Sequence, residues 1–210
     1  MTEPAPILEV EERLRQLHPD ARYELNFDNP FQLLVATILA ARCTDERVNR
    51  VTATLFEKYP TPQAYADADI EELEQDVRPT GSYKTKARSV QGTAQEILAR
   101  FGGEVPANME DLITLPGVAR KTANVVLNMA FEIPSGVIVD SHVGRVSQRM
   151  GLTKQKKGDK IERDLMEIVP MDDWTHFGPA MVLLGRYICK ARSPQCSECP
   201  MDDICPKLEA

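Results

Sequence analysis

The sequence predicts an all-α fold. Apolar residues recur at helical spacing along almost the whole chain, only one short stretch reads as extended, and no internal repeat or low-complexity tract breaks the pattern. Ile7, Val10, Leu14 and Leu17 mark a first helix, and Phe31, Leu34, Ile38 and Leu39 a second. Cys43 is expected within that second apolar helix as a buried core thiol. The segment 83–101 carries Ala87, Val90, Ala94, Ile97 and Phe101 on one face and stops at Gly102-Gly103. "LITLPGVARKTA" (112–123) reads as a short helix, a Pro-Gly hairpin and a new helix. "SGVIVD" (135–140) is extended but too short to build a sheet, and Asp140 is placed to cap a helix over 141–150. Asp173 is expected to cap a last helix bearing Phe177, Met181, Leu184 and Ile188.

The 210 residues suffice for one ordinary domain or two small ones. No apolar run is long enough to span a bilayer, and "MTEPAPILEVEE" lacks the basic-then-apolar order of a secretory signal. An intracellular, cytoplasmic protein is therefore expected. The net charge of −7 argues at first against nucleic acid, but its distribution argues the other way. Residues 77–95, 112–131, 141–158 and 174–197 contain no Asp or Glu, so all 32 acids fall elsewhere, with a dense block at "DADIEELEQD" (67–76). A local positive face is what a phosphate backbone requires.

Four of the five cysteines crowd the C-terminus as Cys189-x6-Cys196-x2-Cys199-x5-Cys205. A disulfide framework does not suit an intracellular chain, whereas four thiolates in loops stiffened by Pro194, Pro200 and Pro206 suit a metal centre. One Cys-x2-Cys flanked by single ligands favours a cubane iron–sulfur cluster; zinc, which prefers two short chelating pairs, stays open on spacing alone.

On the helix after the hairpin, Val118, Thr122, Val125, Val126 and Met129 form an apolar face, and Arg120, Lys121, Asn124 and Asn128 a polar stripe. Lys121 is expected half-buried at the positive end of this helix, where burial and the dipole both disfavour an ammonium. An unprotonated amine is a nucleophile, and its natural target is an aldehyde-level carbon, giving a Schiff base. The backbone N–H groups of Gly117, Val118 and Ala119, with Arg120 beside them, suit a DNA phosphate.

These residues carry a resemblance. "DNPFQLLVATILAARCTDERVN", "LPGVARKTANVVLN", "VIVDSHVGRVSQRMGL" and "FGPAMVLLGRYICKARSPQCSECPMDDIC" together resemble the endonuclease III family of DNA glycosylases, in the helix-hairpin-helix superfamily, over nearly the whole chain. The resemblance implies a six-helix barrel lobe at 23–134, with its hairpin near 115–119. It implies a second lobe of 1–22 plus 135–210 that holds one 4Fe–4S cluster on Cys189, Cys196, Cys199 and Cys205. It places Lys121 on the family's Schiff-base lysine and Asp140 on its catalytic aspartate. It further implies a monomeric bifunctional DNA glycosylase/AP lyase of base excision repair, which removes oxidised pyrimidines from duplex DNA and cleaves at abasic sites. Serine or tyrosine would stand at position 121 in the monofunctional adenine and mismatch branches.

The DNA-facing set comprises Gly117, Val118, Ala119, Arg120, Arg42, Ser82, Lys84, His142, Arg145, Lys190 and Arg192. Four positions depart from the family's pattern. Ala119 replaces a hairpin glycine, Arg42 a gap-filling glutamine, Ser82 a leucine wedge, and Ser141 a threonine. Two competing readings are a lesion-binding protein with weak catalysis, for which the altered wedge positions speak, and an iron–sulfur electron carrier, which a DNA hairpin does not suit.

Overall fold

The computed structural model describes residues 3–208, and every regular element in them is helical. Helix α1 (Ile7–Leu17) is followed by α2 (Pro30–Leu39), α3 (Asp45–Lys58), α4 (Pro62–Ala66), α5 (Ile70–Asp76), α6 (Tyr83–Phe101), α7 (Met109–Leu112) and α8 (Arg120–Ala130). The chain continues with α9 (Ser141–Arg149), α10 (Gly158–Ile168) and α11 (Trp174–Tyr187). Two compact units result: Glu24–Ile133, and a unit made of both chain ends, Met1–Tyr23 with Pro134–Ala210.

In the continuous unit, α2 is apolar nearly all round and is therefore the helix the others surround. It packs against α3, α6 and α8, while α4 and α5 lie on α6. Its start is specified by Asn29, whose side chain accepts the Gln32 N–H at 3.0 Å, with Pro30 at the first helical position. Its end carries no glycine. Leu39 is the last helical residue, and Arg42 at φ 55° takes the left-handed conformation that turns the chain. That turn corrects the expectation for Cys43, which is half-buried outside the helix rather than sealed in the core. Helix α6 buries Ala87, Val90, Ala94 and Ile97 and ends at Gly102 with φ 63°.

In the second unit, α11 packs against α9 and α1. Val10, Leu14, Val143, Val146, Leu165, Phe177, Met181 and Leu184 share its core. The α9–α11 crossing depends on Gly185, since a Cβ there would sit 2.9 Å from the Cβ of His142 and 3.1 Å from Cγ2 of Val146. Residues 135–140 run extended into α9 without pairing as a strand. Asp173 does precede α11, but it makes no capping bond, a correction to its expected role. Its backbone is already helical (φ −96°, ψ −10°), which takes the carboxylate out of reach of the helix amides, and the group pairs instead with Arg15 of α1.

Candidate functional site

The hairpin between α7 and α8 is fastened to α6. Thr93 Oγ1 donates to the Pro116 carbonyl at 2.7 Å, and Leu115 and Val118 are buried anchors on either side of the turn. Gly117 has φ 75°, and a Cβ there would lie 2.6 Å from the Cβ of Ser89, so both backbone and space demand glycine. Ala119, by contrast, is extended at φ −86°, ψ 166°, so alanine in place of a glycine brings no strain. The Val118 N–H donates to Leu115 O at 3.1 Å. That bond shapes the turn and corrects the expectation that all three hairpin N–H groups face outward.

Helix α8 begins at Arg120 with no side-chain cap and no acid in its first turn. Lys121 is its second residue and is exposed, which corrects the expected partial burial; the position at the helix start stands. Within the polar stripe the two ends differ: Arg120 and Lys121 are exposed, whereas Asn124 is 1 % and Asn128 8 % exposed and both have interaction partners. Periodicity hid this: a helix packed on two sides buries part of its polar face, and asparagine tolerates burial once bonded.

Asp140 carries the opposite device. Its Oδ1 accepts the backbone N–H groups of His142 at 2.7 Å and Val143 at 2.9 Å, capping α9 and fixing the carboxylate. It opens onto a cavity of about 400 Å³ lined also by Ser141, Gly144, Arg145, Gln148 and Lys156. Lys156 was missed as a candidate, although it belongs to the acid-free run 141–158 with Lys154 and Lys157. Arg145 is held by Gly185 O at 2.8 Å and Cys189 O at 3.1 Å, with His142 Nδ1 at 3.3 Å, so its guanidinium is largely committed to the fold.

Arg42 and Ser82 lie on exposed turns, each at positive φ (55° and 47°), and Lys84 is exposed one residue into α6. Ser82 precedes α6 but gives it no side-chain cap.

Cys189, Cys196, Cys199 and Cys205 all line one cavity, with Met150, Ile188 and Pro194 as apolar wall. Among the described residues no His, Cys, Asp or Glu side chains converge as ligands of one metal ion; what these four share is the cavity. Burial, then neighbouring thiols, pushes the Cys199 and Cys205 thiols up from their ordinary range. Arg149 and Lys207 also line the cavity, but four thiolates gathered there call for a more strongly positive centre, which is the chemistry of cluster iron. Arg149, 7 % exposed, donates to Lys190 O at 2.7 Å and Ala191 O at 3.2 Å and lies 3.4 Å from Cys189 Sγ. It thereby shapes the loop on which Lys190 and Arg192 stand exposed.

Residues 35–171 match the family model of the HhH-GPD superfamily base excision DNA repair proteins, and residues 189–205 that of the iron–sulfur binding domain of endonuclease III. The endonuclease III of Synechocystis sp. is 51% identical over 197 residues, covering 94% of this chain and 90% of that protein. The Escherichia coli (strain K12) endonuclease III is 39% identical over 202 residues, covering 96% and 95%. A solved structure of a trapped endonuclease III–DNA covalent intermediate, an estranged-adenine complex, superposes with a TM-score of 0.91 at 44% identity, covering 96% of this chain and 94% of that one. The fastened hairpin, the cysteine cavity and these likenesses lead to one assignment: the chain belongs to the endonuclease III family of helix-hairpin-helix DNA glycosylases.

Proposed function

We propose that Lys121 is the nucleophile, and Asp140 the electrostatic and proton-handling partner, of this base excision repair enzyme. The chain is a DNA N-glycosylase and AP lyase acting on duplex DNA, and it carries one 4Fe–4S cluster. The observation that carries the assignment is an exposed primary amine in the first turn of α8, directly after a hairpin locked to α6.

Once its ammonium proton has been taken up by a base, the role assigned to Asp140, the Nζ of Lys121 gives its electron pair to C1′ of an extruded nucleotide. The glycosidic bond breaks, and its electrons leave with the base, which takes up a proton. The added N–H proton passes to O4′ as the C1′–O4′ bond opens, and the nitrogen pair closes the C1′=N bond of the Schiff base. A proton then leaves C2′ and the C3′–O bond breaks, so the phosphate departs as the 5′-phosphate end of the downstream strand, and water hydrolyses the imine to return Lys121. Positive charge builds on the sugar as the base departs. The Asp140 carboxylate, fixed by two amide bonds, is assigned to stabilise that charge, and a group already held in place would do so with little reorganisation.

The outward face of the hairpin, with Gly117, Ala119 and Arg120, is assigned to a phosphate, Val118 anchoring the turn from within, and the arrangement of α8 supports this. The helix end carries partial positive charge, and Ala119, the residue at its cap position, has no side chain that can close it. Arg42 and Ser82 are assigned to the space vacated by the flipped nucleotide, with Lys84, His142, Lys190 and Arg192 on the surrounding backbone. Arg145 is placed with this group as a residue that shapes the α9 side of the surface. Cys189, Cys196, Cys199 and Cys205 would hold the cluster, which when bound fixes the path of the loop bearing Lys190 and Arg192. Glu24–Ile133 would be the barrel lobe and the chain-end unit the cluster lobe. Oxidised pyrimidines and abasic sites are the assigned substrates, met where the DNA lies in the cytoplasm; no helix among the described residues is long and apolar enough to cross a membrane.

Incubation with an abasic duplex and borohydride tests the reading. The wild-type protein should form a covalent complex and the Lys121→Ala protein none.

A further inference from the structure

Lys86 is the buried cation that the mechanism leaves unused. It stands in the second turn of α6 and is only 5 % exposed. Its Nζ donates to Leu39 O at 2.8 Å and to Thr80 O at 2.7 Å. Leu39 is the last residue of α2, and Thr80 the last residue of the 3-10 turn Arg78–Thr80. One ammonium therefore closes two helix ends, where carbonyls lack partners and the peptide dipoles present negative charge. Its backbone N–H also donates to Ser82 O at 3.1 Å. Beyond each closed end the chain goes left-handed, after two further residues at Arg42 on one side and at once at Gly81 and Ser82 on the other. Neither Arg42 nor Ser82 has the conformational freedom of glycine, so both turns need outside support to persist.

We propose that Lys86 is a positioning residue for base extrusion: it ties the Arg42 turn to the Ser82 turn, so that both reach the duplex at a fixed spacing. The inference rests on the assignment of those two turns to the vacated space. A cation that merely filled the core would need partners anywhere; this one takes both from the residues that launch the two turns. Two side chains that must enter one gap in a base stack act together only if their separation is set beforehand.

The test uses Lys86→Met, which keeps the stem and removes the donor. Amide hydrogen exchange of the free protein is read first. Exchange at 40–44 and 80–83 should accelerate together while that of α8 stays as in wild type; no acceleration in either turn overturns the proposal. Rates are then compared on a well-stacked oxidised pyrimidine and on a preformed abasic site. The ratio of the two should fall about ten-fold, the scale of losing one well-made buried bond, with borohydride trapping on abasic DNA near wild type. Arg42→Ala is measured beside it. If Arg42→Ala lowers the ratio and Lys86→Met does not, Lys86 is not a positioning residue. If Arg42→Ala leaves the ratio unchanged, the assignment of the Arg42 turn fails and the extrusion role of Lys86 falls with it, while the exchange data still decide whether the two turns are tied. Should Lys86→Met not fold, Lys86→Gln, with a shorter donor able to reach one carbonyl, should free one turn in exchange; both turns as protected as in wild type would overturn the tie.

Discussion

Two helix starts, one in each unit, solve the same electrostatic problem in opposite ways. Helix α9 begins with Asp140, whose carboxylate accepts two amide bonds, so the end is closed by the protein's own anion. Helix α8 begins after Ala119 with no side-chain cap and has Arg120 and Lys121 in its first turn. A start of the first kind is stable on its own. The second kind places cations where the dipole opposes them, and its cap residue supplies no anion to offset that. The difference teaches how α8 does without a cap: it is held by the hairpin's anchorage to α6 and by its buried face, and its polar end is the one proposed to meet DNA.

The strongest way to break this contrast is Lys121→Ala. Strand cleavage and trapping should fall by several orders of magnitude while duplex binding persists, because a nucleophile is removed and the phosphate-facing turn is not. Single-turnover rates and a binding isotherm measured together check it, and a matching loss in both would point to a misfolded hairpin.

Asp140 is tested by separating its two roles. Asparagine caps a helix about as well as aspartate, so Asp140→Asn should leave stability within about 0.5 kcal/mol of wild type yet slow base release by about 10²–10⁴. Asp140→Ala should lose about 1 kcal/mol more by thermal unfolding. A wild-type rate in the asparagine variant would reduce Asp140 to a cap and nothing else.

Lys190→Glu with Arg192→Glu probes whether the cysteine loop meets DNA. Affinity should fall on every sequence alike, and the slope of log K against log salt should flatten by about one to two units. An unchanged slope would place the loop in solvent.

The smallest effect is expected at Ser82. Leucine there should raise activity a few-fold on well-stacked lesions and little on abasic DNA, because a wedge offsets unstacking that an abasic site never requires. The left-handed backbone at φ 47° sets a cost of about 1 kcal/mol in stability for the larger side chain. Equal gains on both substrates would show that extrusion is not what Ser82 limits.

The helices were legible where pattern and punctuation agree. The span of α6 follows from Ala87, Val90, Ala94, Ile97 and the glycine after Phe101, and the cap of α9 follows from an acid before an amphipathic run. Legibility failed where tertiary context overrides local preference. Nothing near Leu39 signals that α2 ends, since the turn is made by Arg42 in a conformation usually left to glycine, and Cys43 moves outside the helix as a result. Asp173 looks like a cap but is drawn to Arg15, a residue 158 positions away. The burial of Lys86 was readable in principle, for it lies four residues before Val90 on the buried face of α6, but a lysine there is ordinarily assigned to solvent. In the site, residue types and spacing pointed to Lys121 and the four cysteines, whereas Asp140, by itself only a helix cap, was singled out by the family resemblance. The commitment of Arg145 to main-chain carbonyls came only from the packing of α9 on α11.

The central claim is that the amine in the open start of α8 forms the bond to DNA. The direct measurement is to reduce the wild-type complex with an abasic duplex by borohydride, digest both components, and identify by mass spectrometry the peptide that retains the sugar. The remnant should sit on Lys121 alone. A remnant on Lys84, Lys86, Arg120 or the N-terminal amine, with Lys121 unmodified, would contradict it.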